Sequence, residues 1–145
     1  MKTDHTEAFT VQGISGRVEN DDPVGIGALW DKVWKSDLHE TIIDKLSEDM
    51  ICVYHDYQGA HLDPFVMTIG FQVSINAADI GGLNKVNVPA QLMNRFEALG
   101  PQPDTLISQW GSIWEMPLKR TYIADYDVYD SINANKVTVH VGIQG

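Results

Sequence analysis

Apolar and polar residues alternate most clearly between Phe65 and Ile75, where every second side chain is large and apolar. This period of two is typical of a strand with one buried face. Weaker runs of the same kind predict further strands over residues 8–18, 50–57, 86–98, 121–129 and 136–143.

Two other segments have the spacing of amphipathic helices. Asp21-Asp22-Pro23 supplies a helix cap and a first-turn proline, and apolar residues follow at three- and four-residue steps up to Trp34. A second main helix is predicted from Thr105 to Glu115, after a segment rich in glycine and proline. A short helix is also predicted over residues 38–46.

The two halves of the chain resemble each other. Trp30 and Trp34 are matched by Trp110 and Trp114, with the same spacing of four. Ile69-Gly70-Phe71-Gln72 is echoed by the residues from Val141 to Gln144, and further matches occur in the same order in both halves. The pattern predicts one domain built from two β-α-β-β units, over about residues 8–78 and 84–145.

The predicted fold class is α+β: an antiparallel sheet with two main helices on one face and a ligand cleft on the other. Alternation assigns one set of side chains to the helix side: Ile51, Val53, Ile69, Phe71, Val73, Tyr126, Val128, Val137, Val139 and Val141. The open face then receives Gln12, Cys52, Tyr54, Asp56, Thr68, Gly70, Gln72, Ile123, Asp125, Asp127, Tyr129, His140 and Gly142. Glycines within strands often mark the close approach of a ligand or of another backbone.

Charge and composition narrow the function. The 145 residues include 10 Lys and Arg against 20 Asp and Glu, a net charge of -10. This balance disfavours binding to nucleic acid or to anionic membranes. The single cysteine and the five scattered histidines form no metal motif, and no cofactor is expected. The polar N-terminus and the lack of a long apolar run predict a cytoplasmic protein.

A purely structural role is the alternative for the helix tryptophans and for the residues of the open face. Paired tryptophans on a helix usually pack in the core, and this interpretation is favoured for Trp30 and Trp110. Trp34 and Trp114 lie one turn later, where one of them could line a pocket. Asp127, without other information, could be a solvated residue on an exposed sheet face.

The chain resembles the GyrI-like effector-binding domains, which occur alone or fused to AraC-type and MerR-type regulators. The resemblance covers nearly the whole chain and rests on the order and spacing of seven segments: Val11-Gln12-Gly13-Ile14, Leu29-Trp30, Val53 to Tyr57, Ile69 to Val73, Trp110 to Trp114, Arg120 to Tyr129 and Val139 to Ile143.

The resemblance implies a duplicated unit with a ligand cleft between its halves, on the face away from the helices. It also implies binding of lipophilic cations by stacked aromatic rings and one acid. Asp127 matches the acidic position, where the family usually has Glu, and Tyr54 matches the tyrosine of the second strand. The ligand-binding residues predicted on this basis are Asp127 and Tyr54, and Trp114 and Tyr129 are added to them as candidate stacking walls. No residues are left over for a helix-turn-helix, so a role in transcription would require a partner protein.

Three functions remain open at this stage. The first is a binding protein for small amphipathic cations. The second is a hydrolase of strained electrophiles, with Asp127 as base and Tyr54 as proton donor. Its case is weaker because Asp is one methylene shorter than Glu. The third is inhibition of a DNA-handling enzyme through an acidic surface. The sequence leaves open whether the protein is a monomer or a dimer.

Overall fold

The computed structural model describes residues 2–60 and 62–145, so His61 lies outside the described part of the chain. Eleven elements follow one another along these residues: β1 (Lys2–Thr6), β2 (Phe9–Val18), α1 (Pro23–Lys35), α2 (Leu38–Thr41), β3 (Met50–His55), β4 (Phe65–Val73), β5 (Asn84–Val88), β6 (Gln91–Leu99), α3 (Asp104–Glu115), β7 (Ala124–Tyr129) and β8 (Lys136–Gly142).

The strands form one antiparallel sheet in the order β1-β6-β8-β7-β3-β4-β2-β5. This arrangement confirms the α+β class. The order is symmetric: if each of β1 to β4 changes places with the corresponding strand of β5 to β8, the same order results, read from the other end of the sheet. Two copies of one four-strand unit would be related in this way. The boundaries of those units stay a prediction.

Several element boundaries differ from the predicted ones. The strand predicted over residues 86–98 is two strands, β5 and β6, separated by Pro89 and Ala90. Proline has no N–H for a sheet ladder, so it favours a break at this place. The polar strand β1, which pairs with β6, was not predicted. The short helix α2 ends at Thr41, well before residue 46.

Both main helices lie on the same face of the sheet, as predicted. Helix α1 packs onto β2 and β4 through Leu29 and Val33. Helix α3 packs onto β6 and β8 through Leu106 and Ile113. Tyr129 of β7 contacts both of these apolar clusters. The seam between the two helices therefore runs above the central strands β3 and β7.

The other face of the sheet is concave and filled. Phe9 of β2 lies edge-on to Tyr126 of β7, with ring centroids 4.9 Å apart. Three strand spacings separate β2 from β7, about 14 Å in a flat sheet. Contact between these rings therefore requires the sheet to curl over its helix-free side, where Val11, Val88 and Met93 complete an apolar core.

The side-chain faces predicted for the strands are only partly right. The assignment is right for β4 and β8 but wrong for β3 and β7. The residues predicted on the open face that instead share the helix side are Gln12, Cys52, Tyr54, Asp125, Asp127 and Tyr129. Their places on the concave side are taken by Ile51, Val53, Tyr126 and Val128. Because both faces of the central strands are buried, alternation alone did not identify the helix side. The residues predicted for the cleft, Asp127, Tyr54 and Tyr129, therefore lie on the helix side of the sheet.

Gly70 allows two strands to approach closely. It lies directly opposite Gly13 in the β2–β4 pair. A Cβ atom on Gly70 would lie 1.9 Å from the backbone oxygen of Gln12, and one on Gly13 would lie 2.0 Å from that of Ile69. A glycine within a strand can mark the close approach of a ligand or of another backbone, and at Gly70 it marks the approach of another backbone.

Candidate functional site

Asp127 lies at the centre of the helix side of the sheet. It is the direct partner of Cys52 across strands β7 and β3, and it has no exposed surface. The hydroxyl of Tyr54 donates a hydrogen bond to Oδ2 of Asp127. The indole Nε1–H of Trp110, on α3, donates to Oδ1 at 3.1 Å. One donor from the sheet and one from the helix therefore hold this carboxyl group.

Burial raises the pKa of Asp127 from 3.8 to about 7, because the charged form has lost its water. The hydrogen bonds from Tyr54 and Trp110 act in the opposite direction, and the nearby carboxylate of Asp125 adds to the increase. Both the charged and the neutral form of Asp127 are consequently accessible near neutral pH.

Aromatic rings surround this carboxyl group along the seam between the helices. Trp110 lies edge-on to Tyr54, with centroids 5.3 Å apart. On the α1 side, Trp30 lies edge-on to Tyr129 at 5.3 Å and stacks on Trp34 at 5.7 Å. The rings thus extend from a fully buried centre to Trp34, which is 67% exposed.

An open groove of about 540 Å³ adjoins the α1 side of this cluster. Its apolar surface comes from Trp34, Met50, Phe71 and Tyr129. Its remaining lining residues are polar: His39, Glu48, Asp130 and Ser131. Met50 and Tyr129 are directly paired, two residues along β3 and β7 from Cys52 and Asp127. The groove therefore reaches the neighbourhood of the buried carboxyl group.

A second buried carboxylate, Asp125, has a different set of partners. It forms an ion pair of 2.7 Å with Arg120, whose side chain is 6% exposed. It also accepts hydrogen bonds from the hydroxyl of Tyr57 at 2.5 Å and from the backbone N–H of Gly142 at 2.7 Å. These contacts connect β7 to β8, to the segment after β3 and to the loop before β7.

The structure unites most of the predicted site residues. Asp127 and Tyr54 are hydrogen-bonded, and Tyr129 lies on the same strand and face as Asp127. Trp114 is half-buried on α3, one turn beyond Trp110. The indole of Trp110 donates a hydrogen bond to Asp127, whereas the sequence favours core packing for this residue. A tryptophan on a helix is recognised as a site residue only when the strand that faces it is known to carry a buried acid. The incorrect face assignment for β7 placed that acid on the side away from the helices.

The residues that the structure describes contain no group of three or more His, Cys, Asp and Glu side chains placed to hold a metal ion. None of the described helices is long and apolar enough to cross a lipid bilayer.

Known proteins with this architecture cover almost the entire chain. An integron cassette protein from Vibrio cholerae is 22% identical and has a TM-score of 0.82, covering 99% of this chain and 95% of its own. A protein solved with bound tetraphenylphosphonium, SAV2435, is 12% identical and also has a TM-score of 0.82, covering 99% and 93%. Both similarities show a shared fold.

Sequence comparison leads to the same group of proteins. The candidate transcriptional regulator YobU of Bacillus subtilis is 24% identical over 153 residues, which include 97% of this chain and 95% of YobU. The model of the Cass2 family, described as integron-associated effector binding protein, matches residues 4–142. The match covers more than nine-tenths of the residues, and the chain therefore belongs to the Cass2 family of effector-binding proteins, within the GyrI-like group.

Proposed function

We propose that the protein binds lipophilic organic cations in the seam between α1 and α3, with the carboxylate of Asp127 as counter-ion. The observation that carries the proposal is a fully buried carboxyl group beside the rings of Tyr54 and Trp110. Burial raises the pKa of this group to about 7. Tyr54 and Trp110 hold its oxygens, and Tyr129 provides a ring beside it.

Burial makes the charged form of Asp127 unfavourable, and a cation beside it would stabilise that form. Asp127 has lost its hydration, and its two hydrogen bonds offset only part of that cost, as the raised pKa shows. A bound cation stabilises the charged form, so binding releases a proton when Asp127 is protonated beforehand. A desolvated cation against an aromatic face gains about 0.5–2 kcal/mol for each ring.

The adjoining groove would hold the apolar part of the ligand. Its walls are rings and aliphatic chains, and its volume of about 540 Å³ suits a small drug-like molecule. Asp127 itself is covered in this structure, so a ring of the seam must turn aside when the charged centre enters. Tyr129 lines the groove and packs beside Asp127, which makes it the moving part that we propose.

Comparison with a solved relative supports this ligand class. A protein of the same fold binds tetraphenylphosphonium, a large monovalent cation with four phenyl rings. The low identity transfers the fold alone, so the argument for this chain rests on the chemistry around Asp127.

Calorimetry with three tetraphenyl- and triphenyl-substituted probes tests the proposal. We expect tetraphenylphosphonium to bind more tightly than neutral triphenylphosphine oxide, and anionic tetraphenylborate to bind least. The affinity for the cation should fall below pH 7, where protons compete for Asp127. Asp127→Asn should weaken cation binding by about tenfold or more and leave the neutral probe unchanged. Equal affinity for all three probes, or full cation affinity in the variant, would refute the proposal.

One contact favours a second function, hydrolysis of a strained electrophile. Tyr54 and Asp127 form a hydrogen-bonded acid–base pair, the arrangement in which a carboxylate activates water and a phenol protonates the departing oxygen. Incubation with a simple epoxide and analysis for the diol tests this alternative. Diol formation that is lost in both Tyr54→Phe and Asp127→Asn would support it, and formation at the rate of buffer would exclude this substrate class.

A further inference from the structure

Three charged side chains meet beneath helix α3. Asp125 and Asp127 lie two residues apart on the same face of β7, and both are fully buried. The guanidinium of Arg120 pairs with Asp125. Its central carbon also lies 5.6 Å from the ring centroid of Trp110, the residue that donates to Asp127. The ion pair and the candidate ligand carboxylate therefore share one desolvated cluster.

The other titratable groups facing Asp127 carry no charge near neutral pH. Burial raises the pKa of the Tyr54 and Tyr129 hydroxyls and of the Cys52 thiol well above their usual values. The same holds for Tyr57, which contacts Asp125. The net charge of the cluster is consequently set by its two carboxylates and Arg120.

We infer that Arg120 determines how many positive charges the site accepts. Arg120 pairs with Asp125 and offsets part of its charge, which leaves Asp127 as the carboxylate of the cluster without a cationic partner. The cluster therefore accepts a single positive charge. This inference rests on the proposed function, because it concerns the same site. The inference makes Arg120 a residue that determines specificity without contacting Asp127, the carboxylate proposed to bind the ligand.

The physical basis is the weak screening of buried charges. A charge several Å away acts strongly through protein, whereas water would nearly cancel it. If Asp125 loses its charge, the unpaired Arg120 remains close to the site and repels a cation. If both members of the pair become neutral, the site regains the balance of the native protein. A purely structural role for the pair predicts no such recovery.

The experiment compares two probes of nearly equal shape: methyltriphenylphosphonium, which is a cation, and triphenylphosphine oxide, which is neutral. The measured quantity is the ratio of their dissociation constants in the wild type and in Asp125→Asn, Arg120→Met and the double variant. Far-ultraviolet circular dichroism and thermal melting establish that each variant is folded. The ratio corrects for any general loss of pocket shape, because both probes require the same cavity.

We expect the preference for the cation to fall by about tenfold in Asp125→Asn and to return to within about threefold of the wild type in the double variant. Arg120→Met should change the preference in the opposite direction, by adding an uncompensated carboxylate. Should Asp125→Asn fail to fold, the increase in Arg120→Met still tests the inference. An unchanged ratio in the folded single variants, or no recovery in a folded double variant, would overturn it. A wild type without cation preference would refute the proposed function instead.

Discussion

The hydroxyl of Tyr54 donates to Asp127 across the two central strands, β3 and β7. These residues are 73 positions apart and belong to different predicted units. Helix α3 completes the arrangement through the indole N–H of Trp110. The site is therefore assembled where the halves of the sheet meet, and neither half contains it alone.

The first prediction concerns the dependence of stability on pH. Folding raises the pKa of Asp127 from 3.8 to about 7, so the native state holds this proton more tightly than the unfolded chain does. The resulting stabilisation is complete below about pH 4 and is lost as the pH rises to about 7. Asp127→Asn removes this titration, so it should be more stable than the wild type at pH 8, on the order of 3 kcal/mol.

Urea unfolding at pH 4.5 and pH 8 measures this difference, which should largely vanish at the lower pH. Asp79→Asn is a matched control, because the side chain of Asp79 is 92% exposed. Its effect on stability should be small at both values. A difference between Asp127→Asn and wild type that does not grow with pH would show that the native carboxyl group is not preferentially protonated.

The second prediction separates the two tryptophans of α3. Trp110→Phe keeps a ring in place but removes the N–H donor to Asp127, so the charged carboxylate becomes less stable and its pKa increases. Affinity for tetraphenylphosphonium at pH 7 should fall by about three- to tenfold. Part of that loss should be recovered at pH 9, where Asp127 is again ionised.

Trp114→Phe is the control for this experiment, since Trp114 lies one turn further along the same helix. Trp114 is also the tryptophan of α3 that the sequence predicts as a stacking wall. A larger loss of cation affinity in Trp114→Phe than in Trp110→Phe would reverse the assignment given by the structure.

The sequence predicted the acid and its tyrosine through the resemblance, whereas the residues alone left both as ordinary members of a sheet. Its patterns did not identify Trp110 or Arg120 as members of the candidate site. Trp110 resembles any apolar helix residue until the buried acid below it is known. Arg120 precedes β7 in a loop, and no periodic pattern places a loop residue against a strand.

The fold was predicted better where one face of a strand differs clearly from the other. The alternation in β4 has small or polar residues on one side, and its faces were assigned correctly. Strands β3 and β7 carry Val53 and Val128 on one side and the buried Cys52 and Asp127 on the other. Choosing between these faces requires knowledge of the sheet's curvature, which depends on long-range contacts such as that of Phe9 with Tyr126.

The third prediction concerns that packing of strands. Gly70→Ala should be strongly destabilising, by more than about 3 kcal/mol, because its methyl group would meet the backbone of Gln12 and the strands cannot move apart without losing their ladder. Gly27→Ala is the control: nothing lies within 4 Å of the added methyl group, and alanine favours a helix more than glycine does. Thermal melting should therefore show a large decrease for Gly70→Ala and a slight increase for Gly27→Ala. Similar melting temperatures for the two variants would mean that β2 and β4 are not as close as described.

The last prediction tests the groove through Trp34, a tryptophan that is 67% exposed and stacks on Trp30. Because so much of its surface already faces water, Trp34→Ala should change the free energy of unfolding by less than about 1 kcal/mol. Loss of one aromatic wall should nevertheless weaken tetraphenylphosphonium binding by about five- to thirtyfold. Val24→Ala is the control, since Val24 is 81% exposed on the same helix and lies outside the groove lining. Unchanged affinity in Trp34→Ala would confine the ligand to the buried cluster around Asp127, whereas a selective loss would show that the groove holds part of it.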